Sequence, residues 1–120
     1  MDRVRFITHK GANILLLDAS QCQAGDIFSL MTRAKAIIAS QARGTLLTLT
    51  DVTGAQVNDM IKQQVKSFTL HNKPYVKAAA IVGVEGINKV LLDAVEISSK
   101  RQFQIFESLD QAKDWLADQK

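Results

Sequence analysis

The sequence predicts a single-domain α/β fold over residues 1–120: a five-stranded, mostly parallel sheet with an antiparallel N-terminal edge strand and four helices. Three observations predict it. Short runs rich in Leu, Ile, Val and Thr alternate with longer segments whose apolar residues recur at helical spacing, the pattern of strand–helix–strand units. Gly11, Gly44, Pro74 and Gly83 punctuate the boundaries between those segments, as turn-forming residues do. The 120 residues, 47% hydrophobic and 22% charged, suffice for one core, and they show no composition break or internal repeat.

Residues 4–8 and 12–18 read as two strands joined by His9, Lys10 and Gly11, a loop short enough for a hairpin. The first strand is therefore expected at an antiparallel edge. Ile27, Leu30, Met31, Ala34, Ile38 and Ala42 share one helical face, with Gly44 as the stop. TLLTLTD, residues 45–51, reads as a strand, although its threonines would also suit a helix end. Thr53 and Gln56 have capping-box spacing, which predicts a second helix from that point with Val57, Ile61, Val65 and Phe68 on its inner face. Pro74 lacks an amide donor and disfavours a helical Lys73, so this helix ends before it.

Residues 76–82 are almost continuously apolar after Lys77, as in a strand covered on both faces. Ile87, Val90, Leu91, Ala94 and Val95 supply a third helical face, and residues 103–106 a last strand. Ser108 and Gln111 repeat the capping-box spacing and open a fourth helix that docks through Ala112, Trp115 and Leu116. Strands alternating with helices in this order imply parallel pairing through right-handed crossovers.

Composition excludes several function classes. The longest apolar runs fall well short of the roughly 18 residues that span a bilayer, so no membrane insertion is expected. The opening MDRVRFITHKG lacks the apolar run of a secretory signal, and the expected location is cytoplasmic. The single cysteine, Cys22, has no internal partner and no neighbour at metal-ligand spacing, which makes it a reduced loop or core residue. The net charge of +3 comes from scattered side chains without a basic block or interleaved exposed aromatics, a poor footprint for nucleic acid.

The stretches NKPYVK, then AIVGVEG, then the ending from Phe106 to Leu116 that runs F-x-S-x-x-x-A-x-x-W-L, resemble small stand-alone bacterial proteins of the SpoIIAA-like, or STAS, family. The element order agrees with that resemblance along the whole chain. It implies a non-catalytic, regulatory, protein-binding module similar to anti-sigma-factor antagonists, without a cofactor, and with a homodimer among its expected assemblies. Many such domains are toggled by a phosphoserine in an Asp-Ser-Ser-Gly segment. Asp51-Val-Thr-Gly54 departs from it, since the phosphoacceptor position falls on Val52. The usual switch does not carry over, and Thr53 is left as the substitute acceptor, where it would meet a helix N-terminus.

The candidate partner- or ligand-binding residues are Asp18, Asp51, Thr53, Gly54, Gly83, Glu85 and Gly86, all at strand-end loops. Asp18 and Asp51 each end a strand, where a carboxyl-edge crevice would let them hold a metal for phosphoryl transfer; against that, the STAS resemblance carries no metal chemistry, and aspartates at strand ends are ordinary turn formers. A receiver-like site would want a lysine where Glu107 and Ser108 stand. Gly83 to Gly86 opens a helix after a strand, yet lacks both nucleotide-binding fingerprints and reads as a sharp joint. His9 and His71 fall in expected turns as lone surface residues, and no G-x-S-x-G frame is present. The element succession also resembles lipid-binding CRAL-TRIO domains, which makes a small apolar ligand the alternative. Val84, Leu92 and Ile97 lie off the main core stripe of the third helix and would line a pocket or a dimer surface, the dimer being the simpler explanation.

Overall fold

The computed structural model describes residues 3–84, 89, 92–94, 96 and 103–120. Five strands form one sheet in the order β1-β2-β3-β4-β5, and β1 alone runs antiparallel to its neighbour. The strands are β1 (Val4–His9), β2 (Ala12–Asp18), β3 (Leu46–Asp51), β4 (Val76–Val82) and β5 (Gln104–Phe106). Helix α1 (Ala24–Ala39) joins β2 to β3, α2 (Asp59–Asn72) joins β3 to β4, and α3 (Leu109–Ala117) follows β5. Lys89, residues 92–94 and Glu96 are helical as well, giving four helical segments among the described residues. The expected α/β architecture with an antiparallel edge is the one observed.

The hairpin turn needs left-handed backbone at both central residues, and Lys10 and Gly11 supply it with φ of 50° and 80°. That geometry suits a two-residue turn whose twist matches the strands. Two helix ends differ from expectation. Helix α1 stops at Ala39 and leaves Ala42 exposed beyond it, because the amide and hydroxyl of Ser40 and the amide group of Gln41 all donate to the Ile37 carbonyl. Those bonds satisfy a carbonyl that another helical turn would have used.

Helix α2 starts at Asp59, not at Thr53: the Asn58 side chain caps it by accepting from Ile61 N at 2.9 Å. The Thr53 hydroxyl is engaged elsewhere, and Gly54 has a left-handed φ of 68° that no helix N-terminus tolerates. Val57 thus precedes the helix, although it still faces inward with Ile61, Val65 and Phe68. The third expected helix rests on Ile87, Val90, Leu91 and Val95, which lie outside the described residues. The Ser108 cap of α3 is as expected, its hydroxyl accepting from Gln111 N at 3.2 Å.

Sequential strand order has a geometric consequence. Right-handed crossovers that always step the same way along a sheet place their helices on one face. Helices α1 and α2 accordingly pack against each other on that face, and α3 contacts all five strands on the opposite one. Because successive strand side chains alternate, Ile14, Leu16, Leu47, Leu49, Ala80 and Val82 point to α3. Leu15, Leu17 and Leu46 point to α1, together with Thr48, Thr50, Ala79 and Ile81 over the α1/α2 side.

Candidate functional site

The carboxyl ends of β2 and β3 carry the same local device twice. Asp18 Oδ1 accepts from the amide and hydroxyl of Ser20, at 3.1 and 2.5 Å. Asp51 Oδ1 accepts from the amide and hydroxyl of Thr53, at 3.0 and 2.7 Å. A short acidic side chain bonding its own backbone two residues on is a turn former. The two aspartates are register partners across β2 and β3, so the fold does bring them side by side. One carboxylate oxygen of each is committed to its turn, and the Arg3 guanidinium binds the carbonyls of Asp18 and Ser20 at 3.1 and 2.9 Å. Among the described residues no group of three or more His, Cys, Asp or Glu side chains could hold a metal ion.

The loops are laced to one another. Ala19 N donates to the Asp51 carbonyl, Gln21 N to the Thr53 carbonyl and Gln56 N to the Cys22 carbonyl, each at 2.8 Å, while Val52 N reaches the Val82 carbonyl at 2.9 Å. Gly83, at φ 84°, lies so close to Thr53 that a Cβ there would stand 2.7 Å from Thr53 Cα and N. Its role as a joint is therefore steric, and the same contact holds the Thr53 loop down. At Gly54 a Cβ would meet only the flexible end of the Gln21 side chain, and the left-handed φ of 68° is what calls for glycine. Asp18, Asp51, Thr53, Gly54 and Gly83 thus form one edge of the sheet; Glu85 and Gly86 lie outside the described residues. Thr53 does not sit at a helix N-terminus, which removes the electrostatic argument for a phosphate there.

Beneath this edge, between the sheet and helices α1 and α2, is a cavity of about 160 Å³. Its floor is Thr48, Thr50, Ala79 and Ile81; Ile27 and Met31 of α1 and Val65 and Phe68 of α2 wall it. Val52, Ala55, Val57 and Val84 close the end beneath the strand-end loops. Val52, the position that the STAS resemblance pairs with a phosphoacceptor, therefore faces inward. Val84 and Leu92 both line this space, and Leu92 is buried; Ile97 lies outside the described residues.

The cavity holds residues that sequence reasoning missed. Thr48, Thr69 and Asn72 are the buried polar side chains of the described chain, and all three line it. The signal is present in TLLTLTD, where threonine recurs every second position at 48 and 50 while leucine occupies 47 and 49; that alternation marks a strand without marking the space above it.

The titratable groups lie elsewhere. His9 is not a lone residue: its Nε2 lies 2.7 Å from Asp114 Oδ1, and Lys10 Nζ lies 3.0 Å from the same oxygen. The His9 hydrogen bond, then that of Lys10, holds the Asp114 carboxyl below its ordinary range. His71 Nδ1 lies 2.9 Å from Asn72 Oδ1, so it too has a partner. Cys22 is buried, and burial pushes its thiol up.

Comparison of the chain with protein-family models, curated proteins and solved structures gives no match. The functional reading rests on the residues themselves.

Proposed function

We propose that this chain is a non-catalytic binding module that takes a small apolar ligand in the cavity between its sheet and helices α1 and α2. The observation that supports it is the lining: aliphatic and aromatic side chains with a few convergent polar groups, the usual make-up of a ligand site. Volume sets the scale. About 160 Å³ is well below the roughly 300–1,000 Å³ of drug-sized pockets, and close to the ~150 Å³ that accommodates a benzene ring. The ligand is therefore ring-sized, which is smaller than the lipids the CRAL-TRIO resemblance brings to mind.

Native mass spectrometry of gently purified protein, paired with thermal unfolding in the presence of toluene, tests the reading. A bound small mass or a concentration-dependent rise in Tm supports it; at one hundred times Kd the stabilisation is about 2.7 kcal/mol. A bare polypeptide mass together with an unmoved Tm for every ring-sized compound sinks it.

A second reading, a protein partner at the strand-end edge, is favoured by the laced loops around Thr53, Gly54 and Gly83. A pre-ordered surface loses little entropy on association, and the STAS resemblance points the same way. A second copy of the chain is one such partner. Proteins captured by the wild type and released by Gly54→Arg would support this; identical capture by both would count against it.

A further inference from the structure

One end of the cavity is polar. Helix α2 crosses back over the sheet between two parallel strands, so its last turn, with Thr69 and Asn72, lies toward the amino-terminal ends of β3 and β4. Thr48 is the third of the six residues of β3, in its amino-terminal half. The Thr69 hydroxyl donates to the Val65 carbonyl at 2.8 Å, and the Asn72 carbonyl oxygen is paired with His71. Thr48 is 6% exposed and Asn72 5%. The Thr48 hydroxyl has no hydrogen-bond partner among the described residues, and the Asn72 amide N–H groups have none either. A buried hydroxyl without a partner is destabilising, yet valine would fill this strand position with the same shape.

We infer that Thr48 and Asn72 form a hydrogen-bonding subsite, and that the ligand is a small neutral molecule with an apolar ring-sized body and one hydroxyl or carbonyl oxygen. The inference rests on the cavity being a ligand site. Thr48 Oγ1 donates to or accepts from that oxygen and the Asn72 amide donates to it, while Val65, Phe68 and Leu92 take the body. The described lining favours a neutral ligand: none of the described residues around the cavity is ionisable. A carboxylate or ammonium would be buried without a counter-ion, which is far costlier than burying a bonded hydroxyl.

The test compares isosteres. In a purely apolar cavity toluene binds more tightly than phenol, because the phenol hydroxyl loses its water without replacement. Titration calorimetry on the wild-type protein is expected to show the opposite order, phenol at least ten-fold tighter than toluene, with no binding of benzoate. Thr48→Val is expected to reverse the order, and Thr48→Ser, which keeps the hydroxyl, to preserve it. Toluene binding as tightly as phenol to the wild type would overturn the subsite while leaving the apolar cavity standing. Binding of neither compound would overturn both. Should Thr48→Val fail to fold, the wild-type order and Thr48→Ser still decide.

Discussion

The two faces of the sheet are built from the same strands and differ in what they leave empty. On the α3 face, Leu47 and Leu49 pack in one buried cluster with Ala112 and Leu116, and Phe106 and Trp115 close the rim with ring centroids 5.7 Å apart. On the α1/α2 face, β3 offers Thr48 and Thr50 where the other face has leucines, β4 adds Ala79, and about 160 Å³ stays open. Burial is similar on both: Ala79 and Ala80, adjacent on β4, are both buried. The difference teaches that side-chain volume, rather than apolar content, separates a packed layer from one that leaves a cavity.

The largest expected effect comes from truncation on each face. Leu49→Ala opens a hole in a filled layer and is expected near the top of the roughly 2–5 kcal/mol range, measured by urea unfolding. Ile61→Ala, beside space that is already empty, is expected near the bottom of that range. Equal costs would break the comparison. Trp115, the only tryptophan, reports the packed face directly by fluorescence.

Next comes enlargement at the paired alanines. Ala80→Val overfills the α3 face and is expected to cost about 1–3 kcal/mol. Ala79→Val grows into the cavity and is expected to be neutral, or to stabilise by up to about 1 kcal/mol, while weakening ligand uptake. A similar loss for both variants would mean that the open volume does not persist in solution.

A smaller effect involves Cys22, which packs with Ile27, Met31 and Ile61 next to the cavity. Burial raises its thiol above the ordinary 9.0, so its contribution to stability is complete below that value and is lost as pH rises through the raised one. Alkylation by iodoacetamide at pH 8 is expected to be slow in the native protein, and slower again with ligand bound. Rapid labelling, at the rate of the unfolded chain, would show this face to be open.

The smallest effect concerns the rim of the packed face, where Asp114 of α3 clamps His9 and Lys10 of the hairpin. Its lowered carboxyl pKa gives a contribution present above 3.8 and lost as pH falls through the lowered value. Asp114→Asn is therefore expected to flatten the acid limb of a stability-versus-pH curve slightly and leave the neutral region almost unchanged. The exposed setting keeps the effect small. A large loss at neutral pH would show the clamp to be structural.

Most of the fold was legible in the chain. The bounds of β2 and β4, the antiparallel edge, the helix stop before Pro74 and the Ser108 cap are as expected, since each depends on neighbours a few positions away. Thr53 shows the limit of that reasoning. Its spacing to Gln56 is that of a cap, but the Asp51 carboxylate lies within reach of its hydroxyl and Gly83, just after β4, presses against it. Two contacts then compete for one side chain, and sequence spacing cannot rank them. Of the candidate site, five residues converge on one edge, whereas the residues facing the cavity floor went unread because threonine in a strand carries no mark of the space above it.

By itself the sequence determined the elements, their order and the antiparallel edge, because alternation, helical spacing and turn chemistry act locally. Only the tertiary structure decided that α1 and α2 share a face, that Thr48, Asn72 and Leu92 meet around one space, and that Asp18 and Asp51 stand side by side. These depend on contacts between residues far apart in the chain, where the volume of each side chain decides how completely a layer fills.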